Sequence, residues 1–163
     1  AGSNSMISDT VRLYLRSNVS PYGIVDSAKG KLNTSGAGTF TFSNAISGNS
    51  YYLQISHRNA LETWSKTVQT FGSSALSYNF TTDSAKAYGN NLKKIGSRWT
   101  VFSGDVIKNG VIELSDVLQI YNDASNFETG YIISDVNGDN AVDLDDILTA
   151  FNNSANFVSI SRP

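Results

Sequence analysis

The feature that most constrains this chain is an acidic repeat of 30 residues in its C-terminal part. One copy, DVIKNGVIELSDVLQIYNDASNF, spans residues 105–127, and the other, DVNGDNAVDLDDILTAFNNSANF, spans residues 135–157. Two copies are too few for a solenoid, which needs at least three. The repeat therefore predicts a pair with pseudo-two-fold symmetry, in which each copy covers the apolar face of the other.

The second copy opens with a regular series of oxygen-bearing residues. The side chains of Asp135, Asn137, Asp139, Asp143 and Asp146 and the backbone carbonyl of Ala141 follow the ligand order of an EF-hand loop. Hard oxygen ligands suit a large divalent cation, and carboxylates that repel one another are brought together when such an ion binds. The sequence thus predicts a calcium ion here, with Asn140 at the sharp turn.

The first copy keeps only part of this ligand set. Its oxygen donors are Asp105, Asn109, Glu113 and Asp116 with the carbonyl of Val111, and Gly110 takes the sharp turn. Ile107 removes one ligand, and Lys108 adds a cation beside the site. Two alternatives follow: calcium binds here with a water filling the gap, or Lys108 replaces the ion. The sequence predicts one calcium ion in the second loop and leaves a second open.

Each loop is followed by a helical pattern. Apolar residues spaced i, i+3, i+4, i+7 form one stripe per copy: Leu114, Val117, Leu118 and Tyr121, then Leu144, Ile147, Leu148 and Phe151. The residues before each loop are short and β-branched or aromatic. The pattern is therefore a loop followed by a helix, twice, without the entering helix of a complete EF-hand.

The segments GDVIKNGVIELSD and SDVNGDNAVDLDD resemble the two calcium motifs of dockerin modules. The resemblance implies calcium binding and a place in a secreted or cell-surface multimodular bacterial protein. Dockerins often bind cohesins through a Ser/Thr pair where this chain has Leu114-Ser115 and Leu144-Asp145. The partner stays open between a cohesin-like domain and the neighbouring sandwich module.

Residues 10–82 show alternation with a period of two, which is typical of strands with one buried face. Examples are Val11, Leu13 and Leu15, then Phe40 and Phe42, then Tyr51, Leu53 and Ile55, then Tyr78 and Phe80. Turn residues separate these runs, as in an antiparallel sandwich. The stretch GTFTFSNAISGNSYYLQIS, residues 38–56, resembles prealbumin-like and carboxypeptidase-regulatory-like sandwich modules of secreted bacterial proteins.

The predicted fold is an all-β antiparallel sandwich followed by a small α-helical dockerin-like module with two EF-hand-type loops. Residues 1–5 are interpreted as a cloning remnant, 6–82 as the sandwich, 83–102 as a connection and 103–163 as the dockerin-like module. Charge supports a division: residues 1–102 carry ten Lys and Arg against four Asp and Glu, whereas residues 103–163 carry two against ten.

Composition excludes several function classes. The chain has no cysteine, which excludes disulfides and thiolate metal sites, and its single histidine, His57, excludes multi-histidine sites. No apolar run is long enough to span a membrane, and the basic residues are too scattered for a nucleic-acid patch. The sequence predicts no catalytic residues and a non-catalytic role in anchoring, assembly or protein–protein interaction. The alternative is a carbohydrate-binding sandwich capped by the calcium-stabilised module, with a binding face that contains Tyr22, Tyr51, Tyr52 and Trp64.

Overall fold

The structure of the protein is a computed structural model that describes residues 8–163. The interpretation of residues 1–5 as a cloning remnant lies outside the described residues. The strands are β1 (Thr10–Arg16), β2 (Ile24–Lys31), β3 (Ser50–His57), β4 (Ala60–Trp64), β5 (Gln69–Thr70), β6 (Lys93–Ile95) and β7 (Arg98–Thr100). The α-helices are α1 (Leu114–Ser125) and α2 (Leu144–Ala155), and two 3₁₀ helices span Ser84–Lys86 and Tyr88–Asn90.

The described chain forms two compact units. The sheet unit contains residues 8–56, 62–101 and 161–163. The helical unit contains residues 57–61 and 102–160. The boundaries drawn from the sequence, at 82/83 and 102/103, stay a prediction.

The sheet unit is built on a five-stranded sheet with the order β2-β1-β3-β4, in which β5 also pairs with β3. β1 is antiparallel to both of its neighbours, with Leu13 opposite Ala28 on β2 and Ile55 on β3. The predicted alternation holds on β1, where Val11 and Leu15 are buried and Arg12 is exposed. A separate two-stranded sheet pairs β6 with β7.

Loop aromatics, rather than strands, cover the buried residues of this sheet. Leu15, Tyr51 and Leu53 form the core, and Phe42 and Phe71 pack against it. The rings of Tyr51 and Phe71 lie 5.5 Å apart and those of Phe42 and Phe71 lie 6.2 Å apart, both edge to face. Residues 39–42 and 78–80 form no strand, so the strands predicted there are wrong. Their alternating aromatics serve packing from irregular backbone instead.

The helical unit shows the predicted pseudo-symmetry. α1 and α2 each have 12 residues, begin 30 positions apart and have a capping box. Their shared core consists of Val106, Val117, Ile120, Val136, Val142 and Ala150. Each loop pairs with the segment that follows the other copy's helix: Val111 bridges Ser159, and Ala141 bridges Thr129.

The predicted fold class, a sandwich followed by a separate α-helical module, is also wrong. The described chain is mostly β with two short helices, and those helices belong to a unit that includes the turn of the β3–β4 hairpin. The Leu61 amide donates to the Phe102 carbonyl at 2.8 Å, and the Gly104 amide donates to the Asn59 carbonyl at 2.7 Å. Buried backbone groups need hydrogen-bond partners. The segment that leads into the first loop therefore obtains its backbone partners from residues distant in sequence.

Candidate metal centre

The two acidic loops share one backbone course. Gly110 and Asn140, where the sequence predicted a sharp turn, have φ values of 89° and 76°. The positions two residues earlier are also left-handed, with φ of 59° at Lys108 and 82° at Gly138. The sequence did not predict this earlier turn, because a lysine seldom adopts the left-handed region.

A fully buried aspartate closes each loop onto the first turn of its helix. In the second loop, Asp146 Oδ1 accepts from the amides of Val136 and Asn137 at 2.8 and 3.0 Å, and Asp146 Oδ2 accepts from the Asp143 amide at 3.0 Å. Both Asp146 and its counterpart Asp116 are 0% exposed. A carboxylate in the first helical turn is also favoured by the helix dipole.

Asp116 makes the matching three bonds in the first loop. Its Oδ1 accepts from the amides of Val106 and Ile107 at 2.9 and 3.0 Å, and its Oδ2 accepts from the Glu113 amide at 3.0 Å. The two loops thus have equivalent backbone frames, so any difference in cation binding comes from their other side chains.

Carboxylates converge in the second loop. One oxygen each from Asp135, Asp139 and Asp146 lies within 4.8 Å of the others, with Asp135 and Asp146 buried and Asp139 exposed. Within residues 8–163 this is the one group of three or more acidic, histidine or cysteine side chains that is close enough to share a metal ion. The arrangement offers hard oxygen donors of the kind that calcium prefers.

The other predicted ligands of this loop lie around that group. Asn137 Oδ1 accepts from the Asp139 amide at 2.8 Å, and Asn137 Nδ2 donates to Asp139 Oδ2 at 3.2 Å. The Ala141 amide donates to Asp139 Oδ1 at 3.1 Å. Asp143 is not part of the close group, because its carboxylate caps α2 by accepting from the Asp145 amide at 2.8 Å.

Electrostatics in the second loop favour a bound cation. Burial raises the pKa of Asp146 above its ordinary value, and the nearby Asp135 carboxylate adds to the rise, while backbone bonds from residues 143, 137 and 136 oppose it. A buried carboxylate beside a second one is costly unless a positive charge compensates them. The Arg58 guanidinium, with Nη2 3.8 Å from Asp135 Oδ2, supplies part of that charge, and a divalent cation would supply more.

The first loop has a different charge arrangement. Asp105 is 2% exposed, and Lys108 Nζ lies 3.6 Å from its Oδ2. Burial raises the pKa of Asp105, and the Lys108 charge is the largest influence in the opposite direction. Among the described residues, the predicted ligands of this loop form no close group of three carboxylates.

The remaining ligands predicted for the first loop bond to one another. Asn109 Nδ2 donates to Glu113 Oε1 at 2.9 Å, and Asn109 Oδ1 accepts from the Val111 amide at 3.0 Å. Glu113 is the N-cap of α1. Ile107, at the third position, is 48% exposed and brings no side-chain oxygen.

The β3–β4 turn supplies residues to both loops, which sequence reasoning missed. Asn59 is 2% exposed, and its Nδ2 donates to the Asp135 carbonyl at 2.7 Å. Arg58 Nη2 lies 3.8 Å from Asp135 Oδ2, and its guanidinium lies 4.1 Å from the centre of the Tyr131 ring. Lys108 Nζ donates to the Ala60 carbonyl. A turn containing Arg58 and Asn59 carries no sequence signal for this role.

The apolar stripes of the helices do not face the core as predicted. In α1, Val117 and Ile120 are buried, but Leu114, Leu118 and Tyr121 are 73, 55 and 55% exposed. The second helix repeats this arrangement, with Leu144, Leu148 and Phe151 at 64, 45 and 52% exposure. We call these six residues the helix-face set. The prediction that the full stripes pack between the copies is wrong, since most of each stripe points outward.

Comparison with known proteins gives structural matches only. No protein-family model matches the chain, and no curated protein matches it significantly. The chain is similar to one in the crystal structure of a type II cohesin-X-dockerin complex from Acetivibrio cellulolyticus with a C-terminal interface mutation. The identity is 18%, the match covers 90% of this chain and 84% of that chain, and the TM-score is 0.52. For the complex with an N-terminal interface mutation, the identity is 17%, the match covers 96% of this chain and 91% of that chain, and the TM-score is 0.54.

At these identities the likeness shows the fold alone. It covers more of the chain than either unit contains, so neither unit accounts for the match by itself. Nothing in these matches points to the prealbumin-like or carboxypeptidase-regulatory-like fold suggested by residues 38–56. No described helix has the length and apolar character required to cross a bilayer.

Proposed function

We propose that this chain is a non-catalytic assembly protein that binds a cohesin-like domain through the helix-face set. We further propose that a calcium ion in the second loop stabilises the unit that presents these residues. The observation that carries the proposal is the outward position of six large apolar side chains on two helices related by the repeat.

The exposed apolar side chains favour a binding role because they incur a solvation cost without a packing benefit in the free protein. Amphipathic helices of folded proteins normally turn such residues to the core, and contiguous exposed apolar surface commonly marks an interface. Tyr121 and Phe151 occupy equivalent positions and are about half exposed. Aromatic side chains of this kind are frequent at the energetic centre of interfaces.

The nature of the partner is suggested by the fold and by charge. The two structural neighbours belong to cohesin-X-dockerin complexes, which are assemblies held by protein–protein contacts. Neither α1 nor α2 contains a lysine or arginine, whereas Asp123 and Asp145 are acidic. We expect the partner surface to be apolar, with basic residues at its rim.

Calcium fits the second loop by the chemistry of its donors. Asp135, Asp139 and Asp146 would hold the ion, with Asn137, Asp143 and the Ala141 carbonyl completing the oxygen set as the loop adjusts. Binding only to the folded state would stabilise it by about 2.7 kcal/mol at a hundredfold excess of free calcium over Kd. The proposal places the protein outside the cell, as a secreted or cell-surface component, where calcium is abundant.

Carbohydrate binding is not favoured as a second function. Trp64, the central aromatic of that alternative, is 3% exposed. Its ring packs edge to face against Tyr22 and Tyr52, with centroids 6.3 and 6.1 Å away. A sugar therefore has no access to the indole face.

Calorimetry with a panel of type II cohesins, including the Acetivibrio cellulolyticus domain, tests the proposal in calcium-containing buffer. We expect at least one cohesin to bind, and the Leu118→Ser and Leu148→Ser variants to bind it about tenfold more weakly, since each loses part of an apolar contact. Ile95→Ser is the matched control, because Ile95 is 53% exposed on β6 in the sheet unit. The proposal is overturned if no cohesin binds or if Ile95→Ser weakens binding as much as the helix variants.

A further inference from the structure

The fourth position of the first loop is occupied by a lysine whose ammonium group points into the loop. Lys108 Nζ lies 3.6 Å from Asp105 Oδ2 and also donates to the Ala60 carbonyl. We propose that Lys108 is the built-in cation of this loop and stands in place of calcium. This rests on the proposed calcium site of the second loop, and it means that the chain binds one ion rather than two.

The backbone shows that this lysine replaces a residue better suited to the turn. Lys108 has φ of 59°, and the equivalent residue of the second loop is Gly138, with φ of 82°. A side chain is disfavoured in this region, whereas glycine adopts it freely. A lysine at such a position is consistent with a specific role for its side chain, since backbone strain is retained mainly where it serves one.

The buried carboxylates of the first loop require a positive charge. Asp105 and Asp116 are 2% and 0% exposed, and buried carboxylates are found paired or bound to metal. Lys108 supplies a charge whose position is fixed at two points, by Asp105 and by the β3–β4 turn. In the second loop no lysine or arginine lies within residues 135–146. The nearby Arg58 comes from the β3–β4 turn, with Nη2 3.8 Å from Asp135 Oδ2, and a third carboxylate, that of Asp139, joins the group.

A calcium ion would compete with this lysine for the same group. Calcium binds carboxylate oxygens at about 2.3–2.6 Å, so an ion on Asp105 would lie close to an ammonium held 3.6 Å from that carboxylate. The two cations would repel each other at this separation. Ile107 offers no oxygen at the third position, so the loop also has fewer ligands with which to offset that repulsion.

Stoichiometry measured by calorimetric calcium titration of chelator-treated protein tests the inference. We expect one ion per wild-type chain and two per chain of the Ile107→Asn/Lys108→Gly variant, which restores an oxygen ligand and removes the cation. Adding Asp146→Asn, which disables the second loop, should reduce the wild type from one ion to zero and the double variant from two ions to one. Two ions in the wild type, or a double variant that binds no more ions than the wild type, would overturn the inference.

The same titration separates failure of the inference from failure of the proposed calcium site. If the second loop binds no calcium, the wild type gives zero ions and the double variant gives one, whether or not Asp146 is replaced. That result would refute the proposed site and leave the role of Lys108 intact.

Hydrogen exchange in chelator provides a readout that does not depend on calcium. With Lys108 as its cation, the first loop should stay ordered without metal. We expect Lys108→Met to raise amide exchange in residues 105–116 at least tenfold, whereas Lys29→Met on β2 leaves it unchanged. If Lys108→Met also leaves exchange in this segment unchanged, the lysine does not act as the cation of the loop.

Discussion

Replacing the buried aspartate that closes each loop should separate its structural role from its calcium role. We compare Asp146→Asn in the second loop with Asp116→Asn in the first. Each aspartate is 0% exposed and accepts three backbone bonds of nearly equal length. The two substitutions therefore affect the same set of backbone bonds in the metal-free protein.

The magnitude follows from these bonds. An asparagine keeps one acceptor oxygen for the two bonds to Oδ1 but places an amide group against the third backbone N–H, that of Asp143 or Glu113. Loss of a bond to a charged acceptor costs about 1.5–3 kcal/mol. In chelator, we expect both variants to lose this amount of unfolding free energy.

Calcium should make the variants differ. At a hundredfold excess over Kd, the ion adds about 2.7 kcal/mol to the stability of a chain with an intact site. Asp116→Asn should keep that gain, so its deficit relative to wild type is the same with and without calcium. Asp146→Asn should lose the gain, and its deficit should grow to about 4–6 kcal/mol in calcium.

Urea unfolding of the wild type and the two variants, followed by far-ultraviolet circular dichroism in calcium and in chelator, measures the six free energies that are needed. The slope of free energy against urea should stay constant between variants, which shows that only stability has changed. The reasoning is refuted if Asp116→Asn loses as much of the calcium-dependent stability as Asp146→Asn, or if calcium stabilises Asp146→Asn as much as wild type.

Two further predictions concern protons and backbone strain. Because burial holds the pKa of Asp146 above 3.8, protons should compete with calcium as the pH falls toward that raised value, and calorimetry should show weakening affinity at a pH where an ordinary aspartate is still ionised. In chelator the Asp146 carboxylate takes up a proton on folding, so its contribution to the unfolding free energy should rise as the pH falls through the folded-state pKa toward 3.8. The Asp146→Asn variant is the reference for this contribution. A fall in the Asp146-dependent stability over the same pH range would contradict the raised pKa. Phe127→Gly should raise the unfolding free energy by about 1 kcal/mol, because Phe127 has φ of 54° and is 87% exposed. Destabilisation in urea would show that the ring is packed more closely than its exposure indicates.

The repeat predicted the local structure of the helical unit well because its signals are short in range. Asp116 and Asp146 fall in the first turns of α1 and α2, and Gly110 and Asn140 turn where expected. Such features depend on residues within about one loop of each other. Their chemistry is visible in the sequence alone.

Contacts between residues distant in sequence could not be predicted from the spacing of residues in the repeat. Asn59 donates to the Asp135 carbonyl across 76 residues, and neither position suggests the other. The direction of the helix stripes was also misjudged, because α1 carries apolar residues on more than one side. Ile120, outside the predicted stripe, is the apolar residue of this helix that is fully buried. Periodicity identifies apolar faces but does not say which face meets the core when several are available.

The crossed pairing of the two copies has a consequence for how the helical unit forms. The amides of Ile112 and Val142 donate to the carbonyls of Val158 and Glu128, so each loop obtains its backbone partner from the opposite half of the repeat. The arrangement resembles an interlocked dimer whose two halves belong to one polypeptide. A peptide carrying a single half would expose its unfinished edge, and two such peptides would regain the fold only by associating.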